Sequence, residues 1–264
     1  MEPFSFTRRN APLLVSMPHV GTKVPEEIVA RFTPEAAILP DTDWHVDRLY
    51  DFLEGLGATV ITARYSRYVI DLNRAPDNRA LYKGANNTEL CPTTTFAEQA
   101  IYRAGEAPGA AEVESRRESF WQPYHARLAE TLAEMTAAHG RVLLWDAHSI
   151  RSRVPRFFEG RLPDLNLGTA GGESADPGLE AALLAEAEGI RGYSHVLNGR
   201  FKGGYITRAY GNPAEGVHAV QLELSEATYM DEDPPFAFRE DLAVGIRPVL
   251  HGLIAAGLSW LRRQ

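Results

Sequence analysis

The sequence predicts an α/β sandwich, with helices packed around a largely parallel sheet. Short runs rich in Val, Ile and Leu alternate with segments whose apolar residues recur at helical spacing. The runs are nearly continuous in apolarity, as strands covered on both faces are. No repeat of roughly 20–50 residues and no Pro/Gly/Ser-rich linker divides the 264 residues, so a single domain over 1–264 is expected.

Residues 12–17 (PLLVSM) read as a buried strand. Val46, Leu49, Tyr50, Leu53 and Leu56 then mark one face of a helix that Gly57 ends. Residues 58–63 (ATVITA) and 68–72 (YVIDL) read as strands. Residues 83–109 show Gly, Pro, Asn and Thr without a period, and a loop longer than about 12–15 residues is often functional. Phe120, Tyr124, Leu128, Leu132 and Met135 predict a second helix that closes near Gly140. A strand follows at 141–145 (RVLLW), then a second aperiodic stretch over 152–178. Asp176-Pro177 signals a helix over 179–189, residues 219–224 (AVQLEL) read as a strand, and 238–258 as a terminal helix kinked at Pro248.

With 27 Lys and Arg against 35 Asp and Glu, the net charge is −8, a poor basis for binding nucleic acid or an anionic membrane. No run of ~18 apolar residues or signal-like N-terminal segment is visible, so neither a membrane span nor export is expected. The lone Cys91 can form neither an internal disulfide nor a cysteine-based zinc site, which fits a reducing cytoplasm. It precedes Pro92 with nothing nearby to activate a thiolate. Neither a G-x-S-x-G elbow nor a Gly-rich phosphate loop follows a strand, which disfavours serine hydrolase, dinucleotide and NTP chemistry.

Four places carry candidate chemistry. His19 lies just past the first strand, in a turn between Pro18 and Gly21, at the ligand edge of such a sheet. Asp41, Asp43 and Asp47 open a helix, where an acid serves either as N-cap or as metal ligand; His45 would face elsewhere. His148 ends the strand at 141–145, with Asp146 placed to orient it. Glu223 sits inside an apolar strand, where a carboxylate is costly unless paired or used, and alternation puts Gln221, Glu223 and Ser225 on one face. Two histidines and a carboxylate from strand-end loops suit zinc with an open position, and a further glutamate suits a general base. Arg74, and Arg200, Lys202 and Arg208 among the glycines of 199–208, could form a site for an acidic small molecule, since Arg grips a carboxylate bidentately.

Over nearly its whole length the chain resembles the N-formylglutamate amidohydrolase family. The resemblance rests on SMPHVGTKVP (16–25), DTDWHVDRLYDF (41–52), SRYVIDLNRAPD (66–77), LYKG (81–84) and LCPTTTF (90–96). WDAHSIRS (145–152), LPDLNLGT (162–169), NGRFKGGYITRAYGNP (198–213) and VQLELSEATYMDE (220–232) complete it. The resemblance implies a three-layer α/β/α domain with a mixed central sheet, similar to zinc carboxypeptidases and amidases. It implies metal ligands at His19, Asp43 and His148, with Asp41 and Asp47 as alternatives for the acid, and Glu223 as catalytic base. The ion would be zinc or another divalent metal. The implied reaction is hydrolysis of N-formyl-L-glutamate to formate and L-glutamate, the last step of a histidine degradation pathway. The partner would be this small acidic N-acyl amino acid, with Asn73, Arg74 and Arg208 expected to bind it.

Competing readings are a zinc amidase for another N-acyl amino acid or small peptide, and a non-catalytic binder of acidic amino acids. Asp146-Ala-His148 also resembles the dinuclear ureohydrolase pattern Asp-x-His-x-Asp, but Ile150 replaces its last acid.

Overall fold

A computed structural model describes residues 2–80 and 87–264. The LYKG segment at 81–84 and the first residues of the 83–109 stretch lie outside the described residues. Among the described residues, seven strands form one sheet: β1 (Phe4–Thr7), β2 (Leu13–Met17), β3 (Thr59–Ala63), β4 (Val142–Ile150), β5 (Leu165–Gly168), β6 (His195–Leu197) and β7 (Val217–Ser225). Their order is β1-β3-β2-β4-β7-β5-β6. The central β3, β2, β4 and β7 are parallel, while β1 runs antiparallel to β3 and β5 antiparallel to β7. The sheet is therefore mixed, with a parallel centre. The helices are α1 (Glu26–Val29), α2 (Pro34–Ala37), α3 (Val46–Leu49), α4 (Ala110–Arg116), α5 (Gln122–His139), α6 (Pro177–Gly189), α7 (Tyr205–Tyr210) and α8 (Glu240–Leu261).

Strand alternation divides the core into two faces. On β4, Leu143, Trp145 and Ala147 join Leu179 and Leu183 of α6 and Leu250 and Leu253 of α8. Val142 and Leu144 face the other way, onto Tyr124, Leu128 and Leu132 of α5. All nine residues of β4 are buried, the apolar Val142–Trp145 and also Asp146, His148 and Ser149, which face the site. By length and composition α8 could cross a membrane, yet its buried residues pack against the sheet and α6, as a core helix does. It runs unbroken through Pro248.

The predicted helix after residue 46 is shorter than its pattern. It passes from α3 into a tight 3₁₀ turn over Asp51–Glu54 before Gly57, while Val46, Leu49, Tyr50 and Leu53 still face the core. Residues 68–72 are not a strand. The chain turns there, with the Val69 N–H donating to Ser66 O and the Asp71 N–H to Leu90 O. Its apolar side chains are buried beside the sheet edge, not within it, and periodicity cannot separate a buried strand from buried coil. Three short strands, β1, β5 and β6, escaped the sequence reading because three or four residues carry no period. β5 lies within the aperiodic 152–178 stretch.

Candidate active site

His19 lies two residues beyond β2, and its carbonyl accepts the Asp43 N–H at 3.1 Å. Gly21 makes this turn feasible, because a Cβ there would lie 2.3 Å from the Tyr65 carbonyl oxygen. Just after Asp43, His45 adopts φ +62, uncommon outside glycine, and its Nε2 is 2.8 Å from Phe236 O. His148 stands near the carboxyl end of β4, directly opposite Glu223 in the parallel register with β7.

These elements bring His19, Asp43 and His148 together, all buried, with donor atoms within 4.8 Å of one another. Asp43 Oδ2 lies 3.1 Å from His148 Nδ1 and 3.7 Å from His19 Nδ1, and accepts the Ser149 N–H at 3.2 Å. The far nitrogen of each ring meets another buried carboxylate: His19 Nε2 is 2.7 Å from Asp71, and His148 Nε2 is 2.9 Å from Asp146. Such carboxylates fix ring orientation and raise ligand basicity at metal sites. Two imidazoles turned to a common point with one carboxylate match a zinc ligand set with an open position.

Burial and neighbouring charges pull these groups in different directions. Burial opposes charge on His148, but Asp146 and Asp43 outweigh it and hold its pKa well above the ordinary value. Burial and the neighbouring Arg67 keep His19 below its ordinary value, although Asp71 and Asp43 pull the other way. Asp71 is also buried, yet His19, Arg67 and Arg74 hold it well below the usual carboxylate range. Glu223 is raised, by burial first and then by Asp43 and Asp146, with His148 and Arg67 opposing.

Of the three, His19 and His148 line a pocket. Arg67, Arg74 and Arg200 supply its cations, Phe96, Ile150, Phe157 and Phe201 its apolar wall, and Glu223 a carboxylate. Asn73 also lines it, but its amide is engaged within the protein: Nδ2 donates to Asp146 and Oδ1 accepts the Ile206 N–H. Arg208 lies elsewhere. On α7, Ile206 and Thr207 face inward, so the next residue emerges at the surface, lining a separate hollow with Arg79 and Tyr205. Asp41 is spent on the Tyr68 hydroxyl and the Phe96 N–H, and Asp47 is exposed beside the Arg48 N–H. Of the three acids before and within α3, only Asp43 joins the histidines. Cys91 is buried and its thiol is pushed up to about 11, so it is no ready nucleophile.

Asp71 and Arg67 were not singled out from the sequence, and Gln221 was placed on the Glu223 face without a role. Asp71 did carry a signal, an acid inside an apolar run, the same argument that singled out Glu223. Arg67 lies against Asp71 at 2.7 Å and over the Phe96 ring, contacts that only tertiary structure creates.

The family profile of N-formylglutamate amidohydrolase matches residues 11–230. N-formylglutamate deformylase of Pseudomonas aeruginosa is 54% identical over 263 residues, covering 100% of this chain and 98% of that one. The Pseudomonas putida enzyme of the same name is 50% identical over 256 residues, covering 97% and 96%. A crystal structure of N-formylglutamate amidohydrolase from Ralstonia eutropha superposes with a TM-score of 0.84 at 25% identity, covering 100% of this chain and 99% of that one.

Proposed function

The chain belongs to the N-formylglutamate amidohydrolase family, and on that premise we propose that it hydrolyses N-formyl-L-glutamate to formate and L-glutamate. The observation that carries the reading is the His19–Asp43–His148 cluster beside the raised Glu223, in a pocket holding three arginines. A small dianionic substrate matches that charge, and a guanidinium can grip a carboxylate bidentately. Arg74 and Arg200 are its partners in this reading, and Arg208, on the outer surface, is not.

His19, Asp43 and His148 would hold zinc, or another divalent ion, which supplies Lewis acidity to water and to the formyl carbonyl. Glu223 takes the proton of the attacking water as the C–O bond forms. It then gives that proton to the amide nitrogen as the C–N bond breaks, releasing the amine of glutamate. Asp71 and Asp146 hold the two imidazoles in place throughout. The reaction would close a histidine degradation route in the cytoplasm, where the buried Cys91 stays reduced.

The test is a substrate panel on zinc-loaded protein: N-formyl-L-glutamate, N-formyl-L-glutamine and N-acetyl-L-glutamate. The formyl-glutamate compound is expected to give the highest kcat/KM. Preference for the acetyl compound would transfer the assignment to another N-acyl amino acid, and equal use of the glutamine compound would remove the arginines from recognition of the side-chain carboxylate.

A further inference from the structure

Glu223 does not stand alone on its face of β7. Gln221, two residues earlier and also buried, donates from Nε2 to Glu223 Oε2 at 3.1 Å. The direction of that amide is fixed from the other side, because Gln221 Oε1 accepts the Gly204 N–H at 2.6 Å. Asn73 repeats the arrangement. Its Oδ1 accepts the Ile206 N–H at 2.8 Å, which turns Nδ2 toward Asp146 Oδ2 at 3.1 Å and His148 Nε2 at 2.9 Å. Both backbone donors thus lie within residues 204–206, at the entry to α7. The approach leaves no room for a side chain: a Cβ on Gly204 would lie 2.3–2.6 Å from the amide atoms of Asn73.

Resting on the reading of Glu223 as base and His148 as ligand, we propose that the backbone of residues 204–206 is a strap that positions both working groups through two buried amides. Gln221 sets Glu223, and Asn73 sets the Asp146–His148 pair. Gln221 is therefore a positioning residue for the reaction, although it touches no reacting atom in this account. A glutamate side chain has three rotatable bonds, and one oxygen held by Gln221 leaves the other directed at the pocket. Displacement of a reacting group by about 1 Å costs on the order of 10²-fold in rate.

The test is Gln221→Met, which removes both amide bonds at similar volume, assayed with N-formyl-L-glutamate on zinc-loaded protein. The expected result is a 10- to 100-fold fall in kcat with KM within twofold and zinc content unchanged. The same substitution is then made beside Glu223→Asp, whose shorter side chain cannot hold the Gln221 contact; there it should cost less than twofold. An unchanged kcat for Gln221→Met, or an equal fall in both backgrounds, would overturn the proposal. Should Gln221→Met not fold, Gln221→Glu keeps the acceptor for the Gly204 N–H and sets a like charge against Glu223. Its kcat must then fall, and a wild-type value would overturn the proposal equally. Glu223→Ala separates this from the underlying reading, since near-wild-type turnover in that variant removes the base assignment whatever Gln221 does.

Discussion

Glu223 and Asp71 are both acids set inside apolar runs, and each resolves the cost of its burial differently. Asp71 is held ionised by His19, Arg67 and Arg74 despite its burial, whereas burial, with Asp43 and Asp146 nearby, raises Glu223 against the pull of His148 and Arg67. The account makes Glu223 the proton carrier, so Glu223→Gln should lower kcat by about 10²–10⁴-fold, the usual weight of a general acid–base group, with zinc still bound. Metal analysis alongside steady-state kinetics checks this, and retained turnover would contradict it. Asp71 acts through His19 Nε2. Asp71→Asn should weaken zinc binding by about 10–100-fold, read by competition with a chromophoric chelator. Unchanged affinity would reduce Asp71 to a partner of Arg67. His19, Asp43, His148 and Glu223 could be read from the sequence because polar residues at strand ends or within apolar strands are conspicuous. Arg200 was less visible than Arg208, since residues 198–204 lack the regular secondary structure that would tell which side chain faces inward.

Among the elements, β2, β4 and β7 were legible because strands covered on both faces leave continuous apolar runs. The same rule misassigned residues 68–72, where Tyr68 and Val69 pack beside Phe32 and Ile101, and Ile70 and Leu72 pack against the sheet face without joining it. That segment is fastened instead by α5. His125 Nε2 is 2.8 Å from Leu72 O, its Nδ1 is 2.9 Å from the Tyr210 hydroxyl, and its ring stacks on Trp121 at 3.7 Å. A neutral ring meets both partners, and burial lowers its pKa from 6.5 to about 4. Above pH 6.5 the ring is neutral in both folded and unfolded chains, so its titration has no effect there. Below that value the unfolded chain takes up the proton and the folded one does not, so stability falls as pH falls toward 4. Between pH 6.5 and 5 this amounts to about 2 kcal/mol. Urea midpoints across that range should show a steeper decline for the wild type than for His125→Gln. Parallel declines would mean that the ring is already charged in the fold.

On the scale of the whole molecule, residues 19, 43 and 148 converge from the ends of two central strands and the entry to α3. An ion held by all three ties those elements together and binds only the folded chain. Saturating zinc at ~1,000 times its Kd should therefore stabilise the fold by about 4 kcal/mol, seen as a Tm that falls on chelation and returns on zinc addition. A Tm indifferent to zinc would deny the three residues a common ion. An α/β sandwich was predictable from the alternation of apolar runs and helical faces, and the family resemblance implied its three layers. The antiparallel strands β1 and β5 were not, because four-residue strands leave no pattern of their own.

In the proposed reaction a metal held by His19, Asp43 and His148 serves deformylation of N-formyl-L-glutamate. Formate release from that compound is the decisive assay, run on purified protein as loaded, after verified metal removal, and after zinc is returned. Release by the loaded protein, loss on removal, and recovery at about one zinc per chain are expected. Undiminished release by metal-free protein would contradict the metal's role.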